Sequence, residues 1–145
     1  MVHELTAVAN ELGGELVLGR PLQSNEDLLE AIRDGFPPKV MEQVMQSAAL
    51  TLKELAESLD HSTRSLQRRC TAGRLAPFES DRVYRLARIL ALGEHFLGDH
   101  DKAVRWMKRP NRALGGIAPL AAMDTELGAR TVENVLGRIA FGGVS

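Results

Sequence analysis

The chain has 145 residues, a net charge of −1 and a single cysteine, Cys70. Hydrophobic residues make up 44% and aromatic residues 4%, so Leu, Ala, Val and Ile supply most of any core, a mixture that favours helices. One cysteine excludes an internal disulfide and a Cys-based zinc site, and no apolar run reaches the roughly 18 residues of a membrane span. The N-terminus lacks the basic and apolar regions of a signal peptide, so we expect a cytoplasmic protein that does not enter a membrane.

Capping residues and apolar spacing predict an all-α fold with no strand. Ser24 can cap the first clear helix, the sequence from Thr51 to Glu54 forms a capping box, and Ser62 can cap a later helix. In chain order, the predicted helices cover about residues 24–35, 38–48, 51–59, 62–73, 80–96, 102–108, 119–123 and 127–141. The acidic amphipathic segments within residues 1–50 either complete a core or form a dimer interface, and both alternatives stay open.

Charge is distributed unevenly along the chain. Residues 1–60 hold eleven acidic against four basic side chains, whereas residues 61–90 hold seven arginines against two acids. A positive segment in a chain with almost no net charge suits binding of a polyanion at one face. The alternative is that these arginines pair with the acidic N-terminal helices.

The positive segment begins at a pattern typical of a helix-turn-helix. One short helix ends at Leu59, the next begins near Ser62, and Ala56 lies where the two would approach most closely. The turn position that often holds glycine is Asp60, which tolerates a left-handed backbone better than most residues. The sequence therefore predicts a helix-turn-helix whose second helix enters the major groove of DNA.

The outward positions of that second helix carry side chains that read bases. Arginine can bond guanine with two hydrogen bonds, glutamine can do the same with adenine, and hydroxyls reach phosphates or base edges. The predicted base-reading residues are Thr63, Arg64, Gln67 and Arg68.

Two further arginines, Arg69 and Arg74, are predicted to contact phosphates. A single domain of this size reads only a few base pairs, so we expect a homodimer on an inverted repeat of operator DNA.

The last third of the chain has a pattern that DNA binding does not explain. It resembles the C-terminal toxin-binding domain of the Xre/MbcA/ParS-type antitoxins, and the stretches SLQRR at 65–69 and ESDR at 79–82 also look like that family. The matching positions are Trp106, Pro110, Leu114, Gly115, Gly116, Pro119, Leu120, Thr125, Gly128, Val132, Leu136, Arg138, Ile139 and Gly142.

This resemblance implies an antitoxin of a type II toxin–antitoxin system. Relatives neutralise a RES-domain toxin that consumes NAD or transfers ADP-ribose, and many repress their own operon. We therefore expect a helix-turn-helix DNA-binding domain at 1–90 and a small helical toxin-binding domain at 91–145. A plain transcriptional regulator with a C-terminal dimerisation or ligand domain is the alternative, and an enzyme is a more distant one.

The end of the sequence carries a separate hypothesis. If the last helix ends at Phe141, a short tail follows that carries a hydroxyl beside a terminal carboxylate, groups that can mimic the acceptor oxygens of a pyrophosphate. The predicted edge of the toxin interface, with Ser145 occluding the NAD site, is Arg138, Phe141, Gly142, Gly143, Val144 and Ser145.

Other distinctive residues have structural interpretations. Trp106 is predicted to lie in the core, Gly115 and Gly116 in a tight turn, and Cys70 among buried apolar side chains four residues after Leu66. His61 lies in the turn, where it could touch DNA, and no other histidine has a carboxylate or cysteine at metal-ligand spacing. We therefore expect no catalytic residue, no metal site and no cofactor.

Overall fold

The computed structural model describes the backbone of residues 2–140 and the surroundings of side chains 4–139. These residues form helices and connecting loops only, which confirms the all-α expectation for this part of the chain. The helices are α1 (Val2–Glu11), α2 (Gly14–Leu18), α3 (Asn25–Asp34), α4 (Lys39–Ser47), α5 (Leu52–Ser58), α6 (Thr63–Thr71), α7 (Pro77–Leu97), α8 (His100–Lys108), a 3-10 helix (Arg112–Leu114), α9 (Pro119–Ala122) and α10 (Glu126–Ala140).

Local capping explains where several helices begin. The side chain of Ser24 accepts a hydrogen bond from Asp27 N, and Thr51 and Glu54 form the predicted capping box at the start of α5. Ser62 accepts a hydrogen bond from Ser65 N at 3.1 Å and so begins α6. These three caps are as the sequence predicts, because each depends only on residues within one turn.

Two helices begin earlier than predicted, and α7 is the longer of them. It begins at Pro77 instead of Ser80, because proline fits the first helical turn and the Glu79 carboxylate accepts a hydrogen bond from Ala76 N at 2.7 Å. Helix α8 begins at His100, after Asp99 accepts a hydrogen bond from Lys102 N. The predicted end of the last helix, at Phe141, lies outside the described residues.

Helix α7 lies at the centre of the fold. Helices α1, α3 and α4 pack against it from the N-terminal part of the chain, and α8 and α10 pack against it from the C-terminal part. Its inward side chains Val83, Leu86 and Leu90 are at most 1% exposed. Helix α7 runs through the predicted domain boundary at residues 90 and 91, and one apolar core includes side chains from α1 to α10.

The N-terminal helix α1 belongs to this core. Leu5, Val8 and Leu12 are buried, and they lie in the same cluster of apolar side chains as α7. Burial of apolar area of this kind contributes about 25 cal/mol per Å² removed from water. The segment before residue 50 thus completes the core, which was one of the two alternatives for it.

Arg88 of α7 connects three helices at the surface of the core. Its Nε lies 2.8 Å from Glu4 Oε1 on α1, and its two terminal nitrogens donate to both oxygens of Glu133 on α10, at 2.5 and 2.8 Å. These hydrogen bonds from Arg88 lower the pKa of Glu133 and raise that of Arg88. Arg88 thereby joins the first turn of α1 and the middle of α10 across α7.

No helix among residues 2–140 combines the length and the apolar composition needed to span a bilayer.

Candidate functional site

The helix-turn-helix consists of α5 and α6 joined by a tight turn at Asp60. This residue has φ +52°, the left-handed conformation that the sequence predicts for it. Arg82 of α7 donates to the carbonyls of Leu59 and Asp60 at 2.9 and 3.3 Å, and His61 N donates to Ala56 O at 2.8 Å. The turn is therefore fixed by hydrogen bonds from both neighbouring segments.

One face of α6 carries three exposed polar side chains. Leu66 points inward and is fully buried, whereas Arg64, Gln67 and Arg68 are exposed and, at spacings of three and four residues, lie on one face. Thr63, in the first turn, is half-buried. The three exposed side chains are therefore accessible from solvent on one face of α6.

Arg69 faces the opposite way from that surface and pairs with a buried carboxylate. Its Nε lies 2.9 Å from Glu79 Oε1, and His61 Nε2 lies 2.6 Å from Glu79 Oε2. Burial of Glu79 opposes its ionisation, but hydrogen bonds from Ala76 N, His61 and Arg69 outweigh it and lower its pKa. Arg69 thus attaches α6 to the start of α7. The Nε of its guanidinium is occupied by Glu79.

Arg74 braces the loop that leads from α6 to α7. Its Nη1 donates to Gly35 O at 2.7 Å, and the next residue, Leu75, donates through its backbone N to Phe36 O. Gly35 has φ +88°, and a Cβ there would lie 2.1 Å from Leu75 O, so only glycine permits this contact.

The positive segment was expected either to bind a polyanion or to pair with the acidic N-terminal helices. The ion pairs of its seven arginines, in residues 61–90, distinguish these two alternatives. Of these seven arginines, only Arg88 forms an ion pair with an acidic residue of the N-terminal helices among residues 4–139. Arg69 and Arg85 pair with Glu79 and Asp81 of their own segment. Arg64 and Arg68 take part in none of those ion pairs, so their charge stays free at the surface.

The sequence predicts a buried Cys70, a Trp106 in the core and a tight turn at Gly115 and Gly116. The prediction for Cys70 is wrong: it is exposed, because residues 70–74, at the end of α6 and beyond, extend past the core. Trp106 packs against the core but is only half-buried. Gly115 and Gly116 have φ +71° and +90° and form the predicted tight turn.

The segment between α8 and α10 is a compact loop held by Asn111. Its backbone N donates to Ile117 O at 3.0 Å, its carbonyl accepts from Gly116 N, and its side chain accepts from Ala113 N. The exposed surface of this part of the chain combines apolar and basic side chains. They are Ile117 and Leu127, 48% and 74% exposed, with Arg105, Lys108, Arg109, Arg112, Arg130 and Arg138.

The start of α10 fits closely under the end of α9. Thr125 accepts a hydrogen bond from Gly128 N at 2.9 Å, and a Cβ at Gly128 would lie 1.8 Å from Ala122 O. Arg138, the one residue of the predicted toxin edge within the described chain, is exposed on the last turns of α10. Phe141, Gly142, Gly143, Val144 and Ser145 lie outside the described residues.

One cluster of side chains was missed by the sequence reasoning. His100 Nδ1 lies 2.6 Å from Glu94 Oε1 and 3.8 Å from Glu11 Oε1, and its Nε2 lies 2.7 Å from Ser47 O. Burial and the neighbouring Glu94 raise the pKa of Glu11 to about 7. Glu94 and His100 are six residues apart on consecutive helices, but Glu11 comes from α1, so no spacing pattern indicates the cluster.

Comparison with known families gives one match to the helix-turn-helix and one to the C-terminal region. The family model for the antitoxin Xre-like helix-turn-helix domain matches residues 27–88, and the one for the antitoxin Xre/MbcA/ParS C-terminal toxin-binding domain matches residues 92–142. A DNA-binding helix pair followed by such a domain defines an antitoxin of a toxin–antitoxin system.

Whole-chain similarity identifies the family. The Antitoxin Xre of Photorhabdus laumondii is 35% identical over 130 residues, 88% of each chain, and that of Yersinia enterocolitica is 34% identical over 127 residues, 86% of each. A chain in the crystal structure of the M. tuberculosis MbcT–MbcA toxin–antitoxin complex has a similar fold, with a TM-score of 0.54 and 25% identity over 74% of this chain and 96% of that one. The chain belongs to the Xre antitoxin family.

Proposed function

We propose that this antitoxin binds and neutralises an NAD-consuming toxin of the RES fold, encoded by the neighbouring gene, and represses its own operon through α6. It acts by binding and carries out no catalysis. The observation that carries the proposal is the combination, in one chain, of a free basic face on α6 with a matched toxin-binding region at 92–142. A relative of known structure was crystallised as a toxin–antitoxin complex, which supports a toxin as partner.

The DNA-binding part of the proposal depends on α6. Arg64 and Arg68 keep their charge available for phosphates or guanine, and Gln67 lies between them on the same face. Arg69 and Arg74 are held by Glu79 and by Gly35 O, so they can add phosphate contacts only from these fixed positions. A pair of such helices in a homodimer would read two half-sites one helical turn apart.

The toxin-binding part depends on the C-terminal region. Exposed Leu127 and Ile117 offer apolar contact area, and the surrounding arginines would meet an acidic rim on the toxin. Arg138 and residues 141–145 form the edge of this interface, from which the tail reaches the NAD site of the toxin.

The test is co-expression with the open reading frame beside the gene. Expression of that neighbour alone is expected to arrest growth and deplete cellular NAD, and simultaneous expression of this chain is expected to restore both. A neighbour that leaves growth unchanged would remove the antitoxin proposal. Growth arrest with normal NAD would leave a toxin as partner but contradict NAD consumption.

A further inference from the structure

The strongest unassigned feature is the cluster of Glu11, Glu94 and His100, which neither DNA binding nor toxin binding uses. We propose that these three side chains form a binding site for a divalent transition-metal ion, with Zn²⁺ as the ion that their donor atoms suit best. Two carboxylate oxygens and one imidazole nitrogen are a ligand set that zinc accepts. This proposal is independent of the proposed function.

The donor atoms are close to the arrangement that zinc requires. One atom from each residue lies within 4.8 Å of the other two, and His100 Nδ1 is 2.6 Å from Glu94 and 3.8 Å from Glu11. Zinc bonds of about 2.0–2.1 Å in a tetrahedron place ligand atoms roughly 3.3 Å apart. The separations to Nδ1 lie on both sides of that value, so small side-chain movements suffice to enclose an ion.

The imidazole is held in the orientation of a metal ligand. Its Nε2–H donates to Ser47 O at 2.7 Å, which leaves the Nδ1 lone pair of the neutral ring directed at Glu94. Metal-bound histidines typically make this hydrogen bond from their other nitrogen to a carbonyl or carboxylate. A lone pair facing a carboxylate oxygen at 2.6 Å is repulsive unless a proton or a cation lies between them.

The carboxylates are also positioned by the fold. Glu11 is almost fully buried and accepts a hydrogen bond from Ser47 Oγ at 2.6 Å through Oε2, which leaves Oε1 for the ion. The side chains of Glu94 and His100 are 32% and 36% exposed, so an ion can enter from their side. A water molecule can take the fourth position there, as in zinc sites with three protein ligands.

Helix ends add a field that favours a cation. Glu11 is the last residue of α1, Ser47 is the last residue of α4, and Glu94 lies in the last turn of α7. Three negative helix ends therefore converge on the cluster, against the single positive end of α8 at His100. A bound ion would fix α1 and α4 to the corner between α7 and α8, where the toxin-binding match begins.

The test uses the untagged full chain in a Cys70→Ser background, which removes the exposed thiol as a competing ligand. Titration with ZnCl2 in a calorimeter is expected to show one ion per chain. At a free concentration 100-fold above Kd, Zn²⁺ is expected to raise the Tm by roughly 5–10 °C. Glu11→Gln and His100→Gln are expected to lose most of this binding, whereas His95→Gln, at an exposed neighbour of Glu94, keeps it.

The apo variants separate loss of a ligand from loss of the fold. Glutamine at position 11 keeps the size of the side chain and an acceptor for Ser47, so the metal-free Tm of Glu11→Gln is expected to stay close to that of the parent while the zinc response disappears. The absence of saturable binding at micromolar Zn²⁺, or equal binding in both glutamine variants, would overturn the site. An equal response to CaCl2 would overturn the assignment of an imidazole ligand.

Discussion

Arg69 of α6 and Glu79 of α7 are joined at 2.9 Å between Nε and Oε1, and this pair connects the second helix of the helix-turn-helix to the central helix of the fold. Glu79 is 1% exposed, and it accepts hydrogen bonds from Arg69, from His61 and from Ala76 N. The orientation of α6 therefore depends on a carboxylate that is almost fully buried.

Removal of this carboxylate is expected to destabilise the fold. Glu79→Ala leaves the partly buried donors Ala76 N, His61 and Arg69 without their acceptor, at a cost of about 2–4 kcal/mol in the free energy of unfolding. Glu57→Ala, at an exposed position of α5, is the matched control and is expected to stay within about 0.5 kcal/mol of the parent. Urea unfolding followed by circular dichroism measures both. Equal stability of the two variants would show that the Glu79 network contributes little.

If α6 reads bases, substitutions of its exposed arginines are expected to change the sequence preference of DNA binding. Arg64→Ala or Arg68→Ala is expected to cost about 1–3 kcal/mol of operator binding and to relax the preference at particular base pairs. Arg74→Ala is expected to weaken binding on all sequences alike, and Arg105→Ala, in α8, is the control with no effect. Fluorescence anisotropy with operator and scrambled duplexes measures these changes. Unchanged operator affinity in an Arg64/Arg68 double variant would assign these arginines to the fold.

The packing of α10 under α9 predicts opposite effects at two glycines. Gly128→Ala places a Cβ 1.8 Å from Ala122 O, so we expect it to destabilise the fold by roughly 1–3 kcal/mol and to weaken toxin binding. Gly137→Ala, in the same helix, meets nothing within 4 Å and is expected to stabilise by up to about 1 kcal/mol. Thermal unfolding of the two variants gives the comparison. A stable Gly128→Ala protein would contradict the close fit.

Stability is expected to fall in acid because two carboxylates have lowered pKa values. Glu79 and Glu133 are held ionised by hydrogen bonds from the residues around them, so their pKa values in the folded state lie below those in the unfolded chain. Their contribution is therefore present above the unfolded pKa and is lost as the pH falls through the folded pKa. Urea unfolding at a series of pH values below 5 is expected to show this loss. In Glu133→Gln, the free energy of unfolding is expected to change less steeply with pH. A pH profile identical in Glu133→Gln would contradict a contribution from the Arg88–Glu133 pair.

The tail hypothesis is tested by deletion of residues 142–145 in co-expressed protein. If the tail occludes the NAD site, the complex is expected to assemble while NAD consumption returns. Inhibition as complete as with the full chain would contradict the tail hypothesis and place neutralisation on the surface around α10. Arg33→Ala in the full chain, at an exposed position of α3 outside residues 92–142, is a control that leaves the tail and the proposed toxin interface intact.

The sequence predicts features that depend on residues within one or two helical turns. The caps at Ser24, Thr51 and Ser62 and the left-handed Asp60 are of this kind. The family pattern at 92–142 adds the toxin-binding region, because ordered matches over a long stretch are specific.

Features that depend on tertiary packing could not be predicted. Spacing indicates the direction in which Cys70 points but not how far the core extends, so its burial was predicted wrongly. The ion pair of Arg69 joins consecutive helices whose relative orientation no spacing pattern gives, and those of Arg88 join helices 45 or more residues apart in sequence. The cluster at His100 likewise includes Glu11 from the far N-terminal helix, which only the fold brings close.

The central claim is that one chain holds two separable sites, a DNA-binding face on α6 and a toxin-binding region at 92–142. The most direct measurement compares the parent with an Arg64→Ala/Arg68→Ala variant, each co-expressed and purified with the neighbouring gene product. We expect both to form a stoichiometric complex in which the toxin is inactive, and only the parent complex to bind operator DNA. Absence of a complex with the parent, or loss of toxin binding together with DNA binding in the variant, would contradict the account.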